Sequence, residues 1–322
     1  MCDISIIIAV YNHEKYIEKA INSVLLQEVS CSYEVLIGED CSTDRSREIL
    51  KKMKLPDNFH IFYRETNYGP KRNFIDLYER MSGKYFIVLE GDDYWLYPGK
   101  LQEEYDFLEK NKDYLAVAHN TVVVGRDNEE INVNYPECKS NIYDYKEFEK
   151  GLLPGQTTTI LCRNYYKQKI FDYEVNTENY PAGDRVRAFL LIANGKVYCI
   201  QKKWSAYRYI ITSGSSFSAT YVERASESLQ YYRGIYMYAK QHEIEKNVEK
   251  VTECLYAWNL IRCLIREKQG QYQKDLNDVI KDSKNKRELV CYIILKVISQ
   301  PVSKLKYAFH KIKIKSVKRK QI

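Results

Sequence analysis

The sequence predicts an α/β fold built on an open sheet, followed by a helical region. In the first half of the chain, short apolar runs alternate with segments of helical periodicity at spacings typical of βαβ units. The strand signals stop near residue 218. With 322 residues and 45% hydrophobic content, the chain can bury one large core and carry an appendage.

The first half supplies four strands and helices in regular order. The apolar residues of the first helix recur at i, i+3, i+4, i+7 and i+8 from Ile17, as on one face of an amphipathic helix. Pro56 ends the second helix, and Pro98 stands near the start of a fourth, where proline is tolerated. In order, the predicted strands are 4–10, 33–38, 60–63 and 85–89, and the predicted helices are 17–25, 47–54, 74–81 and one through Leu101, Tyr105 and Leu108.

The second half predicts shorter strands and then helices. In the helical region, Val248, Val251, Leu255 and Leu260 belong to one apolar stripe, which indicates core packing rather than a cofactor site. The later predicted strands are 115–124, 158–162 and 196–200, and the helices run from about 221 to 298. We predict three parts, namely an α/β domain over 1–218, a helical region over 219–300 and a basic tail over 301–322.

Carboxylates follow the fourth strand directly, in the sequence Glu90-Gly91-Asp92-Asp93. Ligands of open α/β sheets collect outside the carboxyl ends of the strands, and a hard divalent ion often binds one or two carboxylates together with substrate phosphates. The tetrad therefore predicts a metal-bound diphosphate. A solvated acidic turn is the alternative, because acidic residues are common in turns.

Two further strands also end in polar residues. The second strand is followed by a segment, beginning at Asp40, whose side chains could bind a ribose or cap a helix. For Thr43 and Asp44, helix capping is the favoured interpretation. The first strand ends in Tyr11-Asn12-His13-Glu14. Three strands thus deliver polar groups to one edge of the sheet, which predicts a single site there.

Cysteine usage and the start of the chain predict the compartment. The nine cysteines form no CxxC pair and are odd in number, which favours reduced thiols over a disulfide framework or a zinc site. Met1-Cys2-Asp3 leads straight into a strand without a basic leader, and no apolar stretch approaches the roughly 18 residues that span a bilayer. We expect a cytoplasmic protein that is neither secreted nor membrane-spanning.

The positive charge of the chain lies in its last segment. Residues 301–322 hold eight Lys or Arg and no acidic residue, so removing them takes the formal charge from +7 to −1. Val302, Leu305, Phe309 and Ile312 fall on one helical stripe among lysines, which favours peripheral contact with anionic lipid at the inner face of the membrane. A solvated tail is the alternative, and a short alternation of Lys and Ile would also suit a strand. Nucleic acid is not an expected partner, because no nucleic-acid-binding motif accompanies the charge.

Four segments of the chain form a recognisable set, namely 5–12, 38–44, 67–73 and 90–95. In order and spacing they resemble the signature of the family 2 inverting glycosyltransferases. The resemblance covers residues 3–215 and implies the GT-A fold, a single nucleotide-diphospho-sugar-binding α/β domain with a Rossmann-like mixed sheet. The acidic motif, followed by Pro98, Lys100 and Leu101, is similar to the branch that builds bacterial surface polysaccharides such as capsule, O-antigen or lipopolysaccharide.

This resemblance implies a donor site at the polar edge. Ala9 and Tyr11 would border the nucleotide base, Asp40 would hydrogen-bond it, and Arg72 would reach the nucleotide. The expected carrier is uridine diphosphate (UDP). The other residues assigned to the donor side are Asn12, Glu14, Asp92, Asp93 and Arg208.

The resemblance also implies a divalent metal ion, Mn²⁺ or Mg²⁺, on the diphosphate. Asp92 would hold the ion and Asp93 would orient the sugar or a water, although the sequence leaves open which aspartate contacts the metal. Glu90 replaces the aspartate that is commonest at its position. Arg208 would contact phosphate as part of a lid formed by Tyr207-Arg208 and Ser213-Gly214-Ser215.

An inverting transfer displaces the diphosphate directly at the anomeric carbon, so a carboxylate must take the proton of the acceptor hydroxyl. Asp184 resembles the family's base, and an N-cap of the following helix is its alternative role. Gln156 and Thr157 resemble the stretch that lines the acceptor pocket, and Trp95 is assigned to the same side.

We therefore predict a metal-dependent, inverting, hexosyltransferase-like enzyme that moves a sugar from a nucleotide-diphosphate donor to a glycan or lipid-linked acceptor. A non-catalytic nucleotide-sugar-binding partner in a polysaccharide-assembly complex is the alternative, and loss of the base or metal residues would mark it. A hydrolase with paired carboxylates is a third hypothesis, against which Asp40 and Arg72 argue because a hydrolase needs no nucleotide site. The sequence leaves the donor sugar, acceptor, linkage and oligomeric state open.

Overall fold

The computed structural model describes residues 2–168, 183–210, 225–267 and 270–299. These residues form two compact units, the first reaching residue 210 and the second beginning at residue 225. The domain boundary predicted near residue 218 and the basic tail predicted over 301–322 lie outside the described residues.

The described part of the first unit contains one mixed sheet of nine strands. Strands β1 to β4 are parallel to one another, β8 is antiparallel to both of its neighbours, and the spatial order is β3-β2-β1-β4-β8-β6-β9-β5 with β7 paired to β9. The strands are β1 Ile4–Val10, β2 Tyr33–Glu39, β3 Phe59–Tyr63, β4 Tyr85–Glu90, β5 Tyr94–Trp95, β6 Tyr114–Val124, β7 Ile142–Tyr143, β8 Ile160–Arg163 and β9 Lys196–Arg208.

Helices flank this sheet and connect its strands. The predicted face of the first helix is confirmed, since Ile17, Ala20, Ile21 and Val24 are all fully buried against the sheet. Burial of a large aliphatic side chain contributes about 1.5–3 kcal/mol, so this face fixes the helix in place. The helices are α1 Ile17–Leu25, α2 Ser46–Lys52, α3 Gly69–Arg80, α4 Lys100–Lys110, α5 Tyr145–Glu149, α6 Tyr165–Gln168 and α7 Asp184–Asn194.

Two of the later strands differ from the prediction. Residues Thr157–Thr159 form a 3₁₀ turn, and β8 begins only at Ile160. Strand β9 continues to Arg208 instead of ending at Ile200, because its pairing with β6 shifts register around Asn120 and resumes beyond the polar residues that follow Ile200. Because residues 201–203 are polar, the apolar pattern predicted that the strand ends at Ile200.

The register of the parallel strands places their carboxyl ends side by side. Ala9 of β1 lies opposite Gly38 of β2 and opposite Glu90 of β4. Val10 lies opposite Glu39. The polar residues that follow β1, β2 and β4 therefore share one edge, as predicted.

The second unit is helical in its described part. Its helices are α8 Ala225–Gln241, α9 Lys246–Glu267, α10 Gly270–Asp282 and α11 Lys286–Ile298. The predicted stripe packs as expected, because Val248, Val251, Leu255 and Leu260 are buried. None of the helices in the described ranges is long and apolar enough to cross a membrane.

Candidate active site

The acidic loop after β4 lies tightly against the end of β1. A Cβ atom at Gly91 would lie 2.5 Å from His13 Nδ1 and 2.9 Å from the Ala9 carbonyl oxygen. Only glycine fits such a close approach. His13 Nδ1 is buried and has no hydrogen-bond partner within the described residues. The glycine of the acidic motif thus lets the carboxylates sit directly at the strand ends.

The two aspartates of this loop have different environments. Asp93 is 1% exposed, and its carboxylate accepts hydrogen bonds from the Arg208 backbone N–H at 2.8 Å and from Gln156 Nε2 at 3.0 Å. Burial, together with the charge of Asp92, raises the pKa of Asp93 well above its usual range. Asp92 is only partly buried. Asp92 is therefore the carboxylate of this pair that a ligand can reach more easily.

Arg208 holds the acidic loop in place from β9. Its side chain is 2% exposed, and Nε donates to the Asp92 carbonyl at 2.8 Å. Its other nitrogens donate to the Gly125 carbonyl at 2.6 Å and to Asn128 Oδ1 at 2.7 Å. The prediction that Tyr207-Arg208 belong to a lid is wrong, because both residues lie in the strand. In the described structure Arg208 is a positioning residue rather than an open phosphate contact, and the 213–215 part of the predicted lid lies outside the described residues.

Asp184 is the first residue of α7, and its side chain is exposed. Thr157 Oγ1 donates to its Oδ1 at 2.6 Å, and the Tyr135 hydroxyl donates to its Oδ2 at 3.5 Å. The residue in the N-cap position is Gly183, so the capping alternative for Asp184 does not hold. The carboxylate is thus oriented by a neighbouring hydroxyl and remains open to solvent.

The carboxylates of this edge influence one another electrostatically. Burial raises the pKa of Glu90 to about 8, and the charges of Asp92 and Asp184 add to the rise. Burial also raises the pKa of Tyr135, with Asp184 as the next cause, and that of Tyr207, with Asp93 as the next cause. The two tyrosine rings meet edge to face with centroids 5.3 Å apart. Asp184 therefore belongs to the same charged cluster as the loop after β4.

Replacing Glu90 by glutamine tests this cluster. The pKa of Glu90 is 4.5 when unperturbed and about 8 in the folded protein, so the unfolded chain releases the proton first as pH rises. The free energy of unfolding of the wild type therefore decreases as the pH rises from 4.5 to about 8. Glutamine does not titrate, so the variant avoids this decrease. In a chelator, we expect Glu90→Gln to raise Tm by at least about 2 °C at pH 9 and to change it little at pH 4.

The exposed residue Glu65 provides a control for that measurement, because it lies in a loop outside the helices and strands. Glu65→Gln is expected to leave Tm unchanged at both pH values, because its side chain is exposed to water in the folded protein. Equal melting temperatures of Glu90→Gln and wild type at pH 9 would contradict the raised pKa.

A divalent metal ion fits this edge with few protein ligands. Within the described ranges, no three His, Cys, Asp or Glu side chains are grouped closely enough to hold a metal ion on their own. Asp92 is the partly open carboxylate. Burial is the main cause of the raised pKa values of Glu90 and Asp93, and the repulsion between neighbouring carboxylates that adds to it is what a cation would relieve. This donor set matches ions that bind through one or two carboxylates and complete their coordination with substrate phosphates and water.

The residues predicted for the nucleotide lie on the β1 and β2 side of the edge. Asp40 is 2% exposed, and its Oδ1 accepts from the Tyr68 backbone N–H at 2.7 Å. The Arg72 guanidinium lies 4.2 Å from the centre of the Tyr68 ring and is exposed, as is Tyr11. Tyr68 therefore brings Asp40 and Arg72 together, although the sequence analysis did not single it out.

Asn12 and Glu14 connect two loops of this edge. Asn12 has a positive φ of 58°, and its Oδ1 accepts from the Thr43 backbone N–H at 2.8 Å. Glu14 Oε2 accepts from the Arg45 backbone N–H at 3.0 Å and from Arg45 Nε at 3.2 Å. Both side chains hold the loops after β1 and β2 together and are partly exposed, so their assignment to the donor side stays a prediction. Asp44 accepts from the Ser46 backbone N–H at 2.8 Å at the start of α2, close to its expected capping role.

Two residues predicted to line the acceptor pocket are buried instead. Trp95 is 4% exposed, and its indole N–H donates to the Thr158 carbonyl at 3.0 Å. Gln156 is also buried, and its amide contacts Asp93 and Thr158. Both assignments are corrected, because these side chains support the acidic loop from within the core. Thr157 is partly exposed beside Asp184, so it keeps its place on the predicted acceptor side.

An open α/β sheet with polar groups at the carboxyl ends of its parallel strands is the arrangement of nucleotide-binding α/β proteins, and the parallel strands β1 to β4 of this mixed sheet have it. The sequence profile described as Glycosyl transferase family 2 matches residues 5–173, just over half of the chain. The chain therefore belongs to glycosyl transferase family 2, as the resemblance implied, and the GT-A fold is confirmed by the structural neighbours below.

Two curated relatives share sequence with part of this chain. TuaG of Bacillus subtilis, named as a glycosyltransferase of teichuronic acid biosynthesis, is 36% identical over 106 residues, which are 33% of this chain and 41% of TuaG. The poly(ribitol-phosphate) beta-N-acetylglucosaminyltransferase TarS of Staphylococcus aureus is 32% identical over 96 residues, 29% of this chain and 17% of TarS. In the first four curated relatives the matched region spans 36–41% of their own length.

Two solved structures share the fold. Residues 1–349 of TarS in complex with UDP-GlcNAc match with a TM-score of 0.64 and 17% identity, covering 96% of this chain and 88% of that chain. The mannosyltransferase PcManGT of Pyrobaculum calidifontis in complex with GDP-Man and Mn²⁺ matches with a TM-score of 0.52 and 12% identity, covering 96% and 86%. At these identities the likeness concerns the fold.

Proposed function

We propose that the protein is an inverting glycosyltransferase that uses a nucleotide-diphosphate sugar. The observation that carries the proposal is the position of the Asp184 carboxylate, which is exposed, oriented by Thr157 and electrostatically coupled to Glu90 at the end of β4. A proton acceptor therefore stands beside the edge where sheets of this class bind their ligands. Family membership supports sugar transfer as the chemistry.

In the proposed reaction, Asp184 accepts the proton of an acceptor hydroxyl. The oxygen of that hydroxyl forms a bond to the anomeric carbon while the bond from that carbon to the diphosphate oxygen breaks on the opposite face. The electron pair of the broken bond leaves with the nucleotide diphosphate, and the configuration at the anomeric carbon inverts. Thr157 holds the carboxylate in one orientation during the transfer.

The donor is proposed to lie along the ends of β1, β2 and β4. Ala9 and Tyr11 would border the base, and Asp40 and Arg72 would contact the nucleoside, since Tyr68 brings the latter two together. UDP is the proposed carrier because TarS, which shares the fold, was crystallised with UDP-GlcNAc and with UDP.

Asp92 is proposed to hold Mn²⁺ or Mg²⁺ on the donor diphosphate. The ion would neutralise charge on the leaving diphosphate. Arg208 and Gln156 fix the loop that presents Asp92, through the Asp92 carbonyl and the Asp93 carboxylate. The Mn²⁺ complex of PcManGT supports the choice of metal.

The proposed pathway is bacterial surface-polysaccharide synthesis, with a glycan or lipid-linked acceptor. TuaG and TarS, which carry names from wall-polymer synthesis, support this assignment. A lipid-linked acceptor would place the reaction at the cytoplasmic face of the membrane. The eight cations and absence of acidic residues in 301–322 support peripheral contact with anionic lipid there.

A donor screen with the 322-residue chain tests the proposed function. The protein is incubated with UDP-, GDP- and dTDP-sugars, Mn²⁺ and a membrane extract as acceptor source, and nucleotide diphosphate release is measured together with sugar incorporation. We expect one donor class to give incorporation that depends on acceptor. Tight binding of a nucleotide sugar without transfer or release under any condition would favour the non-catalytic partner instead.

A further inference from the structure

Helix α11 is apolar on two opposite faces. Leu289 is fully buried in the core of the second unit, where Tyr292 and Ile293 pack against the same cluster. The opposite face is exposed and also apolar, which is unusual for a surface helix, since one polar side is the rule. Its residues are Val290 at 39% exposure, Cys291, Ile294 at 49%, Leu295 at 67% and Ile298 at 67%.

These five residues form one continuous surface. They occur at i, i+1, i+4, i+5 and i+8, which at 100° per residue covers an arc of about 140° along the whole helix. No charged residue interrupts the arc after Arg287. We call this surface the apolar face of α11. A contiguous exposed apolar surface of this kind marks an interaction site.

We propose that the apolar face of α11 inserts into the interface of an anionic lipid membrane. The chain continues beyond this helix into residues 301–322, with eight Lys or Arg and no acidic residue, while the rest of the chain has a formal charge of −1. An apolar helical face and an adjoining polybasic segment are the two signals that together give stable membrane attachment. The inference rests on the proposed membrane location and assigns it a second, structured contact.

Charge argues against a second copy of the chain on this face. A parallel contact between two α11 helices would start both polybasic segments at the same end of the contact, where like charges repel. In an antiparallel contact, the uncharged face of the partner helix offers those segments no negative charge. Anionic headgroups instead attract those segments while the acyl region accepts Leu295 and Ile298, the most exposed residues of the face. The lipid surface therefore satisfies both features at once.

Vesicle co-sedimentation of the full chain tests this proposal. Vesicles of phosphatidylglycerol and phosphatidylcholine in equal parts are compared with pure phosphatidylcholine. We expect the double variant Leu295→Glu/Ile298→Glu to bind the anionic vesicles at least about 10-fold more weakly than wild type. The matched control is Gln273→Glu/Asn277→Glu, which adds the same charge at two exposed positions of α10 and should bind within about 2-fold of wild type.

The outcomes separate the two proposals. If the wild-type protein does not co-sediment with the anionic vesicles, both the membrane location and this contact are wrong. Equal binding of wild type and Leu295→Glu/Ile298→Glu would overturn the contact and leave the location standing. A wild-type dimer in analytical ultracentrifugation that the variant converts to monomers, with vesicle binding unchanged, would assign the face to a second copy. Circular dichroism and UDP titration check that each variant is folded.

Discussion

Replacing Asp184 by asparagine is expected to reduce the transfer rate by at least about 10³-fold while leaving UDP binding unchanged. A positioned general base contributes about 10²–10⁴-fold to a rate, and an amide cannot take the proton of the acceptor hydroxyl. Asparagine keeps the size of the side chain and an oxygen for the 2.6 Å hydrogen bond from Thr157. The loss should therefore lie in the chemical step. Single-turnover transfer and a calorimetric UDP titration on the same sample measure both quantities.

The neighbouring Thr157 supplies the matched control. Thr157→Val removes the hydroxyl that orients Asp184 but leaves the carboxylate in place. We expect this variant to lose about 10-fold in rate, because a loosely oriented base still accepts a proton. An Asp184→Asn rate within about 10-fold of wild type would contradict the assignment of the base.

Local pattern was sufficient to predict the parallel core of the sheet. The helical period from Ile17 and the apolar run of β1 are local signals, and both elements are buried as those signals indicate. The strand was predicted over 196–200, but its continuation to Arg208 was missed because that part depends on pairing with β6 across a register shift at Asn120. Residues 201–203 are all polar and show no apolar alternation, so the local pattern of this segment does not predict that the strand continues.

The acidic residues of the candidate site could be predicted from the sequence, whereas the residues that hold them in place could be predicted less well. Asp92 and Asp40 follow apolar runs, and parallel strands must bring their carboxyl ends together. Trp95 and Arg208 carry side chains suited to ligands, but long-range packing buries both of them. Tyr135 stands beside Asp184 although no periodicity around it marks a site. Residue type suggested ligand roles for Trp95 and Arg208, whereas the packing of distant segments holds both side chains inside the protein.

Replacing Asp92 is expected to have the second large effect, a loss of metal-dependent UDP binding. The Arg208 backbone N–H and Gln156 occupy the oxygens of Asp93 inside the protein, whereas Asp92 is partly open at the same edge. A divalent ion bridging Asp92 and the donor diphosphate would make UDP binding depend on both the ion and this carboxylate.

Asp92→Ala is therefore expected to weaken UDP binding in Mn²⁺ by at least about 10-fold, equivalent to about 1.4 kcal/mol. In a chelator, the variant should bind UDP no more weakly than wild type, because the carboxylate then only repels the diphosphate. Calorimetric titrations with and without Mn²⁺ measure both conditions. Asp57→Ala is the matched control, since Asp57 is exposed just before β3, at the amino end of the strands, and should leave UDP binding unchanged. If Asp92→Ala and Asp57→Ala bind UDP equally well in Mn²⁺, the ion is not held by Asp92, and Asp93 would have to leave its two hydrogen-bond donors to take its place.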